Sequence, residues 1–151
     1  MIRRLLQDSI QDRLFQGKAL VVIGPRQVGK TTLIRQLLAD RQHLFLNGDD
    51  PDVRQRLDGI STSGLKAIIG GHTLVFFDEA QRIPGIGQTL KLITDQLKSV
   101  QVIVTGSSAL ELGDRTRESL TGRKVEYKLF PVSWEEFESE VGYLEIGRAH
   151  V

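Results

Sequence analysis

The 151-residue sequence predicts an α/β fold: a parallel sheet of about five strands with helices packed on both faces, a three-layer αβα sandwich. Three observations predict it. Short, continuously apolar runs recur along the chain, as strands covered on both faces require. Amphipathic stripes at helical spacing lie between them, and strands alternating with helices close into a parallel sheet through right-handed crossovers. A glycine-containing turn, Gly24 to Lys30, joins the first apolar run directly to the next stripe.

Ile2, Leu6, Ile10 and Leu14 recur every four residues and predict an opening amphipathic helix, with Gly17 as its stop. "ALVVI" (Ala19 to Ile23), "LFL" (Leu44 to Leu46), "LVFF" (Leu74 to Phe77) and "VIV" (Val102 to Val104) read as four buried strands. Leu33, Ile34, Leu37 and Leu38 make one helical stripe, and Leu90, Ile93 and Leu97 make another. "VEYKLF" (Val125 to Phe130) instead alternates apolar and charged residues, which suits a half-covered strand at the sheet's edge, ended by Pro131. "SWEEFE" then reads as a helix start, with Ser133 as N-cap, Glu136 completing a capping box, and Trp134 as a packing anchor.

A chain of this length can bury roughly 70% of the surface its unfolded form exposes, so one domain without staples is expected. Lys and Arg total 20 against 19 Asp and Glu, which argues against a wholesale polyanion binder. Residues 1–41 nevertheless hold eight Lys or Arg and three Asp, so basic character gathers around the opening stretch. The absence of cysteine excludes disulfides, thiolate metal sites and a cysteine nucleophile. His43, His72 and His150 show no ligand spacing, so a metal held by protein alone is not expected. No apolar run approaches the roughly 20 residues that span a bilayer, and the amino terminus lacks a signal peptide's apolar stretch. The expectation is a cytoplasmic protein with no membrane partner.

Gly24, four residues, then Gly29-Lys30-Thr31 is a full Walker A pattern. Its glycines let the loop Gly24, Pro25, Arg26, Gln27, Val28, Gly29 curl so that backbone N–H groups face phosphate oxygens, and the helix starting near Lys30 adds its positive end. Lys30 would then reach the β- and γ-phosphates, Thr31 would ligate Mg²⁺ through its hydroxyl, and Thr32 would contact the α-phosphate. In "LVFFDEA" a buried strand ends in Asp78, where a carboxylate can hold Mg²⁺, and the adjacent Glu79 can polarise an attacking water. The motifs together point to ATP and Mg²⁺ as ligands and to hydrolysis. No Asn-Lys-x-Asp motif occurs and no Gly stands three residues after Asp78, which disfavours a GTPase.

"GPRQVGKTTL", "FFDEAQRIP", "VTGSSALEL", "ESLTGR" and "LFPVSWEEF" come in the order found in a large group of prokaryotic predicted ATPases of the AAA-plus superfamily, which the chain resembles from about Ile2 to Phe137. The resemblance implies a P-loop NTPase core with strand order 5-1-4-3-2. It also implies a sensor residue at the end of the "VIV" strand, for which Thr105, Ser107 and Ser108 qualify and Ser107 is carried forward. Arg115, Arg117 and Arg123 are candidates to neutralise charge at a γ-phosphate, and Arg123, in "LTGR", is the preferred one, acting on its own subunit's site or, as is common in AAA-plus assemblies, on an adjacent subunit's. Self-association follows as an expected partner relation, with a protein or nucleic acid engaged through a further carboxy-terminal region. Residues 1–144 are expected to form the ATP-binding domain. Glu145 to Val151, "EIGRAHV", back-translate into a common sequencing adapter and are expected to be a non-native tail. A phosphotransferase and a nucleotide-dependent binding module, nucleic-acid associated or not, remain the alternatives to an ATPase.

Overall fold

The computed structural model describes residues 2–26, 29–107, 120 and 122–130. In chain order the elements are α1 (Ile2–Asp12), β1 (Ala19–Ile23), α2 (Lys30–Leu37), β2 (Leu44–Asn47), α3 (Pro51–Leu57), α4 (Thr62–Ile69), β3 (Leu74–Asp78), one 3₁₀ turn (Ala80–Arg82), α5 (Ile86–Gln96), β4 (Gln101–Gly106) and β5 (Lys124–Lys128). Every strand pair is parallel, and the order across the sheet is β2-β3-β4-β1-β5, the expected 5-1-4-3-2 read from the other edge.

Because successive strand residues point to opposite faces, each continuously apolar run feeds two cores at once. Ala19, Val21, Ile23, Val75, Phe77, Val102 and Val104 face one way and meet Val53, Leu57, Leu65, Ile69, Leu90 and Ile93 of α3, α4 and α5. Leu20, Val22, Leu74, Phe76 and Ile103 face the other way and meet Leu6 and Ile10 of α1 with Leu33 and Ile34 of α2. Val125 and Tyr127 of β5 join this second core, while Lys124 and Glu126 form an ion pair, so β5 is an edge strand with the alternation predicted, but it starts at Lys124 and ends at Lys128, short of the expected Phe130. Among the described residues no helix is long and apolar enough to cross a membrane.

Strands run past their apolar residues. β3 takes in Asp78 and β4 takes in Thr105 and Gly106, because the backbone ladder continues where the hydrophobic run stops. α3 and α4 were not anticipated from the sequence; α3 buries only Val53 and Leu57, while α4 buries Leu65 and Ile69 with Ile68 packed beside them. Their caps were the readable signals. The Asp50 side chain accepts from the Asp52 N–H with Pro51 at the first position, and Ser61 Oγ accepts from the Gly64 N–H. The helix start expected at Ser133 to Glu136, with Trp134, and the tail from Glu145 lie outside the described residues.

Candidate functional site

In a parallel sheet all carboxyl ends share one edge, and the motifs gather there because each directly follows a strand. The loop after β1 leaves through Gly24, whose N–H donates to the Gly106 carbonyl at the end of β4 over 3.1 Å. Gly29 has a φ of 92°, a left-handed conformation open to glycine, and it turns the chain into α2 at Lys30. Lys30 is 3% exposed, and its Nζ donates to the carbonyls of Gly24 and Pro25, each at 2.8 Å. Burial lowers its pKa below the ordinary 10.5, against the opposing pull of the Glu79 and Asp78 charges.

Thr31, on the first turn of α2, donates its hydroxyl proton to Asp78, with Oδ1 at 2.8 Å and Oδ2 at 3.0 Å. Thr105 of β4 donates to Asp78 Oδ1 from the other side at 2.5 Å, and its oxygen accepts from the Glu79 N–H at 3.1 Å. Glu79 is a non-glycine residue with a φ of 49°, a conformation that turns the chain sharply out of β3. Its carboxylate accepts from Gln81 Nε2 at 2.8 Å, and the same Nε2 donates to Ser107 Oγ at 2.7 Å. Lys30, Thr31, Asp78, Glu79 and Ser107 thus belong to one connected site. Gly24, Pro25, Arg26, Gly29 and Thr32 lie on the loop and first helical turn beside it, and Gln27, Val28 and Ser108 lie outside the described residues.

The donor chemistry fits Mg²⁺. Thr31 and Asp78 present hard oxygens side by side, and among the described residues no group of three or more His, Cys, Asp or Glu could hold a metal. A cation here would depend on phosphate and water oxygens for the rest of its shell.

A family model for an AAA domain matches residues 16–138. The chain belongs to the AAA domain family. Its fold recurs in the Walker-type ATPase PABY2304 of Pyrococcus abyssi, at 18% identity and a TM-score of 0.62 over 99% of this chain and 59% of that one. Aeropyrum pernix ORC1 in complex with DNA aligns at 13% identity and a TM-score of 0.61, over 93% of this chain and 49% of that one. Drosophila ORC bound to DNA aligns at 10% and 0.60, over 87% and 92%. The chain therefore spans about three fifths of the length of the Pyrococcus ATPase. No curated protein sequence matches it.

Arg123 is not brought to the AAA domain's own phosphate loop. Its carbonyl accepts from the N–H of Ala19, the first residue of β1, so it stands at the amino end of the strand whose carboxyl end carries Gly24. There it pairs with Asp95 of α5 at 2.7 Å. Arg115 and Arg117 lie outside the described residues.

Two residues of this AAA domain escaped the sequence reading. Gln81 looks like part of a connecting loop until its hydrogen bonds are seen. Gly48, after β2, donates its N–H to the Asp78 carbonyl at 2.7 Å, and a Cβ there would stand 2.1 Å from the Glu79 carbonyl oxygen. Only the "NG" turn signal hinted at it. Gly48→Ala should therefore push the acid-bearing turn off its strand, at a cost of about 1–3 kcal/mol. A thermal melt should show a loss of several degrees; a midpoint unchanged from wild type would mean that the two backbones separate freely.

Proposed function

We propose that this AAA domain binds ATP with Mg²⁺ and hydrolyses it, passing its nucleotide state to a partner or to chain beyond the domain. The observation that carries the reading is the bond from the Thr31 hydroxyl to both oxygens of Asp78, which joins the phosphate loop to the acid-bearing strand with Glu79 next in line. Lys30 and the loop N–H groups would hold the β- and γ-phosphates, and Thr31 and Asp78 would hold the cation. Mg²⁺, when bound, supplies charge neutralisation at the phosphates. Glu79 would polarise the attacking water and accept its proton.

Phosphate release from Mg-ATP, abolished by chelation, is the expected result. Phosphate appearing on an added acceptor instead would favour a phosphotransferase, and tight ATP binding without release would favour a binding module. ORC and ORC1 were solved with DNA, and a DNA or RNA partner for this chain would show as binding that weakens steeply with salt.

Arg123 is proposed to act on the site of a neighbouring copy. Its ion pair with Asp95 is partly exposed, worth under about 1 kcal/mol, so exchanging Asp95 for a phosphate costs little. Activity per molecule should rise with protein concentration, and Arg123→Ala should remove that rise while leaving ATP affinity unchanged. A rate per molecule that is flat with concentration rejects the role in trans.

A further inference from the structure

Gln81 sits two residues beyond Glu79 in the 3₁₀ turn, is 6% exposed, and has no part in holding phosphate or cation in the reading above. We infer that Gln81 is a positioning residue that ties the Glu79 carboxylate to Ser107 at the end of β4, so that the site's acid is set by what Ser107 contacts. This inference rests on the hydrolysis reading for its consequence, and on hydrogen-bond geometry for its existence.

A side-chain amide has two N–H protons and one carbonyl acceptor. The Gln81 nitrogen donates to Glu79 Oε2 at 2.8 Å and to Ser107 Oγ at 2.7 Å, while Gln81 Oε1 accepts from the Ser107 N–H at 3.3 Å. Both ends of the amide are thus docked on Ser107, and one proton is directed at the carboxylate. The opposite side of Glu79 is also fixed, because its backbone N–H is held by the fully buried Thr105. With the backbone pinned on Thr105 of β4 and the carboxylate pinned through Gln81 on Ser107 just past that strand, Glu79 has little freedom of its own. A charge-assisted hydrogen bond in a buried setting is among the stronger ones available to it. Ser107 Oγ accepts from Gln81 and, as a hydroxyl, still has a proton to donate. A phosphate oxygen that takes that proton would move Ser107, the amide and the carboxylate together.

The test uses the full chain and has two arms. In the first, the side-chain amide resonances of Gln81 are followed by NMR in wild type, Ser107→Ala and Glu79→Ala. Both variants should shift them, and resonances that stay in place in either one overturn the linkage. In the second, Gln81→Met keeps the bulk and removes the donor, with its melting temperature confirming the fold. ATP affinity should stay within about twofold, turnover should fall about tenfold, and the same change made on Glu79→Gln should cost nothing further. Wild-type turnover, or an equal extra loss on Glu79→Gln, overturns the inference. If wild type binds ATP and releases no phosphate, the hydrolysis reading fails by itself, and adenosine β,γ-imidotriphosphate with Mg²⁺ decides the linkage. It should shift the Gln81 amide in wild type and not in Ser107→Ala; equal behaviour in both overturns it.

Discussion

Glu79→Gln should bind Mg-ATP as wild type does and release phosphate more slowly by about 10²-fold or more. The amide matches the carboxylate in shape, so the left-handed turn at Glu79 and the Thr105 bond to its N–H are kept. What is lost is an acceptor for the proton of the attacking water. Steady-state phosphate release beside an equilibrium binding titration separates the two effects. Normal release would assign water activation to another group, and lost binding would mean that the turn had collapsed.

Lys30→Ala should remove measurable ATP binding by calorimetry. The buried ammonium is the one fixed positive charge that α2 brings to the loop, and backbone N–H groups alone leave the β- and γ-phosphate charge poorly compensated. The sign of the pH effect follows from burial. Desolvation lowers the Lys30 pKa from 10.5 in the free chain, whereas bound polyphosphate favours the charged form. ATP binding therefore takes up a proton on the alkaline side, and affinity should weaken as pH rises through the free chain's Lys30 value. Unchanged affinity in Lys30→Ala would remove the basis of the phosphate-loop assignment.

The layered sheet was legible because its central strands are apolar on both faces, and a run such as "LVFF" admits no half-exposed alternative at that length. That the Gly24 to Thr31 loop and the Asp78-Glu79 pair lie together was legible because each is a run of consecutive residues directly following an apolar strand. Gly48 and Gln81 were not, because their roles depend on contacts between segments: Gly48 matters where β2 ends against β3, and Gln81 where the turn after β3 meets the end of β4. Arg123 shows the converse. Its motif context marked it, yet only the register of β5 beside β1 reveals that it lies at the sheet's far end from Lys30.

The close approach of Gly48 makes some joints of the site stiff and others compliant. Two backbones pressed together without a side chain between them cannot slide, so displacing the Glu79 carbonyl displaces the end of β2. From there the load divides. Arg54 of α3 donates to the Gly48 carbonyl at 2.9 Å, which places a helix of the sheet's opposite layer from α2 on the same strut. Asp49, the next residue, reaches Arg26 of the phosphate loop at 3.7 Å and Arg82 beyond the acids at 3.3 Å, through exposed ion pairs that break cheaply. A shift of the Glu79 carbonyl is thus met first at Gly48, which a side chain of α3 also holds, whereas the links back to the phosphate loop are exposed ion pairs.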